Sequence, residues 1–404
     1  MRIAHLARVS HPYHPYGGLE QHVYRLTLEL ARLGHQIELY TQPPTLGWEQ
    51  SVREPVWPEG VTHHFVPYRS LPLLRRNSVP DRLTNYPLFA LRLGRAVRQL
   101  TPTPRLVHAH GLAAWGYSRK LLPGVPLVLN PHGMEEFKVN TLGKKLAYAP
   151  FRELLRQTAR SAVAIIATDR VLIPEVIRFL RVPAQRVKFV PNAIALDEIL
   201  QIAKAVVIRE IRQLYKPVDE NLLFLSVGRL ETNKGFDKML MALAQTRETL
   251  PTVWRWVVVG TGSELAALER LTQKLNLTAH VIFAGQLADP PLHALYAVAD
   301  VLVHPTLYEG SSLVTLEAMA HALPIIASNV GGLPDKVQTT GPYRNGWLLP
   351  PGDVTALAQA LQDCAALTSA QRCELGQNSQ QLVQKKFTWQ VAARQTVELY
   401  ESLL

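Results

Sequence analysis

Apolar residues along this chain follow two alternating rhythms. Short, nearly continuous apolar runs alternate with longer stretches in which apolar residues recur every third or fourth position. In the first half the short runs predict strands over residues 3–9, 36–41, 106–109, 125–130, 163–168 and 188–191. Between the first two, Leu19, Val23, Leu26, Leu30 and Leu33 recur at helical spacing and predict a helix over 19–32, closed by Gly34. The second half restarts the alternation. Strands are predicted over 222–227, 256–259, 281–284, 301–304 and 324–327, with helices over 234–245 and 264–275. Apolar strands separated by helices argue parallel sheets covered on both faces. Two such series argue an α/β protein of two Rossmann-like, doubly wound domains, with ligand in a cleft at the carboxyl ends of strands.

A length of 404 residues fits two or three domains at roughly 150 residues each. The charged stretch 197–221, which ends in Lys216-Pro217-Val218-Asp219, is the expected boundary region. The expected domains are therefore 1–195 and 196–385, with a closing segment 386–404. A hydrophobic fraction of 47% supplies two full cores. No apolar run approaches the ~18 residues of a membrane helix, and the start Met-Arg-Ile-Ala-His-Leu does not resemble a secretory leader. A cytoplasmic protein is expected. The two cysteines, Cys364 and Cys373, have no histidine nearby and are expected to be buried free thiols.

Charge changes this picture. Residues 1–192 hold 26 Lys+Arg against 12 Asp+Glu, a net of +14, whereas the remainder holds 17 against 20, a net of −3. Between residues 69 and 105 eight arginines face only Asp81, interleaved with Leu71, Leu73, Leu74, Leu83, Leu88 and Phe89. Such a mix suits an anionic membrane face, so peripheral attachment to the inner leaflet, or an acceptor bearing an anion, is expected. A non-enzymatic polyanion-binding protein is an alternative. No nucleic-acid motif accompanies the basic residues, and no nucleic-acid partner is expected.

Candidate chemistry gathers at strand ends. Residues 309–317 read EGSSLVTLE, and Ser311 or Ser312 can cap a helix carrying Leu313, Leu316 and Glu317. Its free N–H groups and positive dipole attract phosphate. One carboxylate inside that end, Glu317, and one before it, Glu309, suit a ribose diol and a hexose. The stretch 226–235, SVGRLETNKG, puts Arg229 and Lys234 between a strand and a helix, where two cations can hold a diphosphate. Gly17-Gly18, between the first strand and helix, permits close backbone approach to a phosphate. His132 follows a strand in Asn-Pro-His-Gly. His108 and His110 alternate on one strand and share a face, but no third metal ligand is visible in the sequence, and no metal is expected. Gly260-Thr-Gly262 lacks the full dinucleotide fingerprint and is expected to serve helix–strand packing.

The stretch from Tyr308 to Asp353 resembles the signature of retaining GT-B glycosyltransferases, especially family 4 (glycosyl transferases group 1). The paired glutamates with seven residues between them, Leu323-Pro324 through Ser328, Gly331-Gly332-Leu333-Pro334 and Pro350-Pro351-Gly352-Asp353 carry the likeness, as does Gly228-Arg229-Leu230 with Lys234-Gly235. The resemblance implies a retaining, metal-independent hexosyltransferase that uses a UDP- or GDP-linked sugar as substrate, no cofactor, and a hydroxyl acceptor, lipid-linked or anionic. A GT-B sugar phosphorylase or nucleotide-sugar epimerase is an alternative. The likeness implies that Arg229 and Lys234 bind the diphosphate, that Glu317 holds the ribose and Glu309 the hexose, that His132 lies near the sugar with its backbone carbonyl supporting the transition state, and that His132, Glu309, Arg229 and Lys234 are the catalytic residues. The implied donor contacts also include Gly17, Gly18, Ser311, Ser312, Leu313 and Val314, with His110 on the acceptor side. Ser311-Ser312 stands where the family usually has Phe-Gly. Phe387-Thr388-Trp389 resembles the final segment, whose helix returns to the first domain.

Overall fold

The computed structural model of the chain describes residues 1–14, 17–44, 57–68, 79–139, 141–216, 222–251 and 253–404. The chain divides into two units. One comprises Met1–Asn192 with Trp389–Leu404, the other Ala193–Thr388.

The first unit is built on β1 (Arg2–Leu6), β2 (Gln36–Thr41), β3 (Val61–Phe65), β4 (Leu106–His110), β5 (Leu127–Asn130), β6 (Ala164–Ala167) and β7 (Val187–Phe189). These lie in the order β3-β2-β1-β4-β5-β6-β7, and every pairing is parallel. The second unit uses β8 (Leu222–Val227), β9 (Trp254–Val259), β10 (Val281–Gly285), β11 (Val301–His304), β12 (Ile325–Ser328) and β13 (Gly346–Leu349). Their order is β10-β9-β8-β11-β12-β13, again all parallel. Both sheets are doubly wound. In each, the strand order reverses beside the first strand, between β1 and β4 and between β8 and β11. Connections there diverge to opposite faces and leave a crevice at the carboxyl ends of the strands.

The residues explain why these strands are central. Along β8, Leu223, Leu225 and Val227 enter one apolar cluster, and Leu222 and Phe224 enter another on the opposite face. A strand buried on both faces reads as a continuous apolar run. β3 and β13 were not expected from the sequence. Both are edge strands, and Val-Thr-His-His-Phe lacks the apolar run because its side chains are at least partly exposed. In the first unit the two faces of one strand differ. Ala4 and Leu6 of β1, with Val107 and Ala109 of β4, join the main apolar cluster. The alternate residues His5, His108 and His110 are equally buried but polar.

The division between units falls at Asn192, ahead of the charged 197–221 stretch. Helices Leu196–Ile202 and Ala205–Tyr215 bury Leu196, Ile211 and Tyr215 in the second unit's core, so this stretch is structure rather than tether; 217–221 lie outside the described residues. The last helix, Trp389–Glu401, packs on helix Gly18–Arg32 of the first unit. Residues 69–78 of the arginine-rich stretch, with Leu71, Leu73 and Leu74, also lie outside the described residues. Of the rest, Arg92 donates to the Pro67 carbonyl at 2.9 Å and Arg98 to those of Gly116 and Lys120 at 3.2 Å, so part of this charge braces the fold. Cys364 is buried as expected, but Cys373 is exposed; both are unpaired. Among the described residues no helix is long and apolar enough to cross a membrane.

Helix Val79–Arg98 meets the short helix Trp115–Ser118 through Gly94 and Gly116. A Cβ on Gly116 would lie 1.8 Å from the Ala90 carbonyl oxygen. Backbone on both sides cannot yield as a side chain would. Gly116→Ala is expected to destabilise the first unit by about 2 kcal/mol or more, seen calorimetrically as a melting transition lower by several degrees. An unchanged melt would show that the helices separate freely.

Candidate functional site

The crevice of the second unit is assembled from the loops after β8 and β11. After β8 the chain runs through Gly228-Arg229 into a tight turn, Thr232–Lys234, and then helix Phe236–Thr246. Gly235 joins turn to helix in the left-handed region, at φ 66°, and a Cβ there would lie 2.2 Å from the Pro305 carbonyl oxygen. Only glycine suits that conformation and that approach. The loop after β8 is thereby pressed against the loop after β11. Gly262 does the same from a third loop, since its Cβ would lie 2.2 Å from the Leu230 carbonyl oxygen. The Gly260-Thr-Gly262 motif therefore packs loop against loop, not helix against strand.

This packing brings together Lys234 and Glu309. The Lys234 ammonium donates to Glu309 Oε2 at 2.9 Å, and both side chains are largely buried. His304, the last residue of β11, lies with Nε2 2.9 Å from the same oxygen. The Gly310 amide donates to Glu309 Oε1 at 3.0 Å. Burial alone would raise the Glu309 pKa. The hydrogen bond and charge of His304, then Lys234, outweigh it and hold the carboxyl down to about 2. His304 was read in the sequence only as a strand end, and nothing there signalled its contact with Glu309.

Ser312, not Ser311, caps helix Leu313–Ala320, its hydroxyl accepting from the Thr315 amide at 3.2 Å. Ser311 instead accepts from Lys336, whose ammonium lies 3.4 Å away and also donates to the Gly332 carbonyl at 3.1 Å. Lys336 is almost wholly buried and carried no sequence signal. Glu317 sits in the fifth position of the helix, and the Tyr296 hydroxyl donates to its Oε2 at 3.1 Å. Burial raises the Glu317 pKa despite that bond, and burial beside Glu317 raises Tyr296 well above the usual tyrosine range. Arg229 stands apart. It is mostly exposed and donates to Glu231 at 2.6 Å.

In the first unit Gly17 precedes and Gly18 opens helix Gly18–Arg32, and Gly17 supplies no side-chain cap. One turn later His22 turns back onto the sheet, where five histidines converge. His132 Nε2 lies 2.7 Å from His110 Nδ1, and His110 Nε2 meets His5 Nε2. His5 Nδ1 lies 2.8 Å from Thr27 Oγ1, and His108 Nδ1 lies 2.6 Å from the Tyr400 hydroxyl. His22 lies between Asn192 Oδ1, at 3.2 Å, and Asn130 Nδ2, at 3.4 Å. His132 holds a left-handed φ of 56°, and its amide donates to Asn130 Oδ1 at 3.1 Å. A third ring beside His108 and His110, not visible in the sequence, is thus supplied by His5. His110 is itself buried, so it does not line an open acceptor surface. The next residue, Gly111, instead lines a cavity of about 180 Å³ with Arg8, Leu19, Tyr86, Leu112, Pro131, Glu136, Tyr148 and Phe151.

Two models of known families match the chain. "Glycosyl transferases group 1" matches residues 207–382, and "Glycosyltransferase Family 4" matches residues 16–198. The D-inositol 3-phosphate glycosyltransferase of Segniliparus rotundus is 27% identical over 408 residues, covering 96% of this chain and 85% of that protein. The sucrose-phosphate synthase of Thermosynechococcus elongatus superposes with a TM-score of 0.73 at 24% identity, covering 100% and 98% of the two chains. HepE of Anabaena, in complex with UDP, superposes with a TM-score of 0.69 at 18% identity over 100% of both chains. These likenesses show that the two doubly wound units form the GT-B fold.

Burial holds His5 down to about 3 and His22 to about 4, and pushes His108, His110 and His132 well below the ordinary histidine value. In the second unit only His293 and His321 are lowered in this way among the described residues. An unfolded histidine protonates near 6.5, so as pH falls below that value the unfolded chain binds protons that the folded cluster refuses. Stability is therefore full above about pH 6.5 and declines below it, by on the order of 1 kcal/mol per pH unit for each such ring. Glu309 acts in a lower window, its contribution present above about 4.5 and lost as pH falls towards about 2. Between pH 7.5 and 5 the first unit is expected to lose more stability than the second. Hydrogen exchange, corrected for intrinsic rate, should then accelerate more in β1 and β4 than in β8; equal acceleration would contradict neutral buried rings.

Proposed function

We propose, on the premise that the chain belongs to the group 1 glycosyltransferases with a family 4 first half, that it moves a hexose from a UDP- or GDP-linked donor to a hydroxyl acceptor with retention at the anomeric carbon. The observation that carries this reading is the Lys234–Glu309–His304 cluster at the strand reversal of the second unit. It supplies a cation and a fixed carboxylate beside a capped helix N-terminus, the set that a diphosphate and a hexose require.

In this reading Arg229 and Lys234 take the diphosphate. Lys234 has three donor hydrogens and can turn one to a phosphate oxygen while keeping Glu309. Arg229, exposed beside Glu231, exchanges that weak surface pairing for the phosphate. Tyr296 holds one oxygen of Glu317, and the other accepts from the ribose hydroxyls. Ser312 satisfies only the Thr315 amide, so the amides of Ser311, Ser312, Leu313 and Val314 remain for the ligand, and Glu309 accepts from hexose hydroxyls. The bond from the anomeric carbon to the diphosphate oxygen breaks, and the leaving oxygen keeps the electron pair. The acceptor oxygen bonds to the same face, and its proton passes to the departing phosphate. Arg229 and Lys234 neutralise the charge as it develops.

His132 and the Gly17-Gly18 pair are the first unit's proposed contribution to sugar binding. The cavity carrying Arg8, Glu136 and the rings of Tyr86, Tyr148 and Phe151 suits an acceptor with a polyol face and an anionic group. Presentation of that acceptor at an anionic membrane face agrees with the basic first half.

Calorimetry and turnover separate these roles. Lys234→Ala or Arg229→Ala should lower turnover at least a hundredfold, about 2.7 kcal/mol. Glu317→Ala should weaken binding of the sugar-free nucleotide, whereas Glu309→Ala should mainly lower turnover of the sugar donor. Near-normal turnover in both cation variants, or equal loss of nucleotide affinity in both glutamate variants, would overturn the assignment.

A further inference from the structure

We propose that His5, His108 and His110 form a buried binding site in the first unit for one divalent transition-metal ion of the Zn²⁺ type. The backbone places the three rings together. His5 of β1 is the direct cross-strand partner of His108 of β4, and His110 follows two residues later on the same sheet face. One nitrogen from each ring lies within 4.8 Å of the other two.

The hydrogen bonds identify which nitrogens are available. Each Nδ1 is engaged on its outer side: His5 with Thr27, His108 with the Tyr400 hydroxyl and His110 with His132. The inner nitrogens are the three Nε2 atoms. Those of His5 and His110 face each other. That of His108 is buried without a hydrogen-bond partner among the described residues. A metal-ligating histidine usually gives its other N–H to a carboxylate, backbone carbonyl or water, which fixes its tautomer, and two hydroxyls and a histidine ring take that place here. All three partners are already in place here, and the orphaned His108 nitrogen gains a ligand.

The donor set selects the ion. Three uncharged imidazoles without carboxylate or thiolate suit Zn²⁺, Co²⁺, Ni²⁺ or Cu²⁺ and not Mg²⁺ or Ca²⁺. Zn–N bonds of about 2.0–2.1 Å at tetrahedral angles put ligand nitrogens about 3.3 Å apart, so His5 and His110 must part slightly. The fourth position is left to water. A second trio, His22, His110 and His132, also comes within 4.8 Å. It is the weaker candidate, because the Asn192 and Asn130 side chains already engage both nitrogens of His22.

Occupancy would have two consequences. His110, ligating through Nε2, must carry its proton on Nδ1 and donate to His132 Nε2. His132 is then fixed as its Nδ1–H tautomer. His108 in turn must donate to Tyr400, which tightens helix Trp389–Glu401 onto the sheet. The ion positions His132 and takes no part in bond making.

The test uses the untagged full chain, stripped of metal with a chelator. Titration with Co²⁺ should give one ion per chain with the intense visible absorption of a four-coordinate nitrogen site, and Zn²⁺ should displace it. His108→Gln should weaken Co²⁺ binding at least a hundredfold, and His22→Gln should leave the stoichiometry and spectrum unchanged. Failure of the wild-type chain to take up Co²⁺ or Zn²⁺ would overturn the proposal without reference to any variant. So would a weak six-coordinate spectrum, full binding by His108→Gln, or loss of binding in a folded His22→Gln chain.

Discussion

The chemistry of the second unit depends on keeping one carboxylate charged where burial opposes charge. Glu309 is screened from solvent at the end of a sheet whose strands are apolar on both faces. Left alone there it would bind a proton. His304 and Lys234 prevent this, and together with the Gly310 amide, which also binds the carboxylate, they arrive from two loops and a strand end. That convergence rests on the parallel sheet, which sends every strand's carboxyl end to one edge, and on Gly235, which lets the two loops touch. The same arrangement keeps the Lys234 side chain largely buried against that carboxylate.

Both units use one strand order and put different chemistry at its reversal. In the second unit the reversal between β8 and β11 collects Lys234, His304 and Glu309, a charged set. In the first unit the reversal between β1 and β4 collects His5, His108 and His110, an uncharged set. The difference lies in one face of two short strands. β1 and β4 give their alternate positions to histidine, and the helices over that face, Gly18–Arg32 and Trp389–Glu401, answer with Thr27, His22 and Tyr400. A fold position of this kind offers a crevice, and the side chains decide what it does.

How much of this could be read in advance follows from where each signal lives. β8 and β11 were legible to the residue because burial on both faces leaves a continuous apolar run. β3 was not, because all of its side chains are at least partly exposed and leave no apolar run, and β13 was not, because it is four residues long and begins with Gly346. A serine cap at 311 or 312 was legible, since such a bond spans three residues, but only the structure selects Ser312. The Lys234–Glu309 contact spans 75 positions. Each partner was marked by its own motif, but nothing local stated that they touch. His108 and His110 were visible as an alternating pair, whereas His5 joins them only through cross-strand register. Tyr296, inside helix Asp289–Val298, and Lys336, in a turn ahead of β13, had no sequence signal, and their roles come entirely from tertiary packing.

The central claim is that the nucleotide-sugar is held by the second unit, at the loops after β8 and β11. Hydrogen exchange at backbone amides, measured with and without saturating UDP-glucose or GDP-mannose, tests it without knowledge of the acceptor. One of the two ligands should slow exchange in residues 228–235 and 309–317. Protection confined to the first unit, or none with either ligand, would contradict the account.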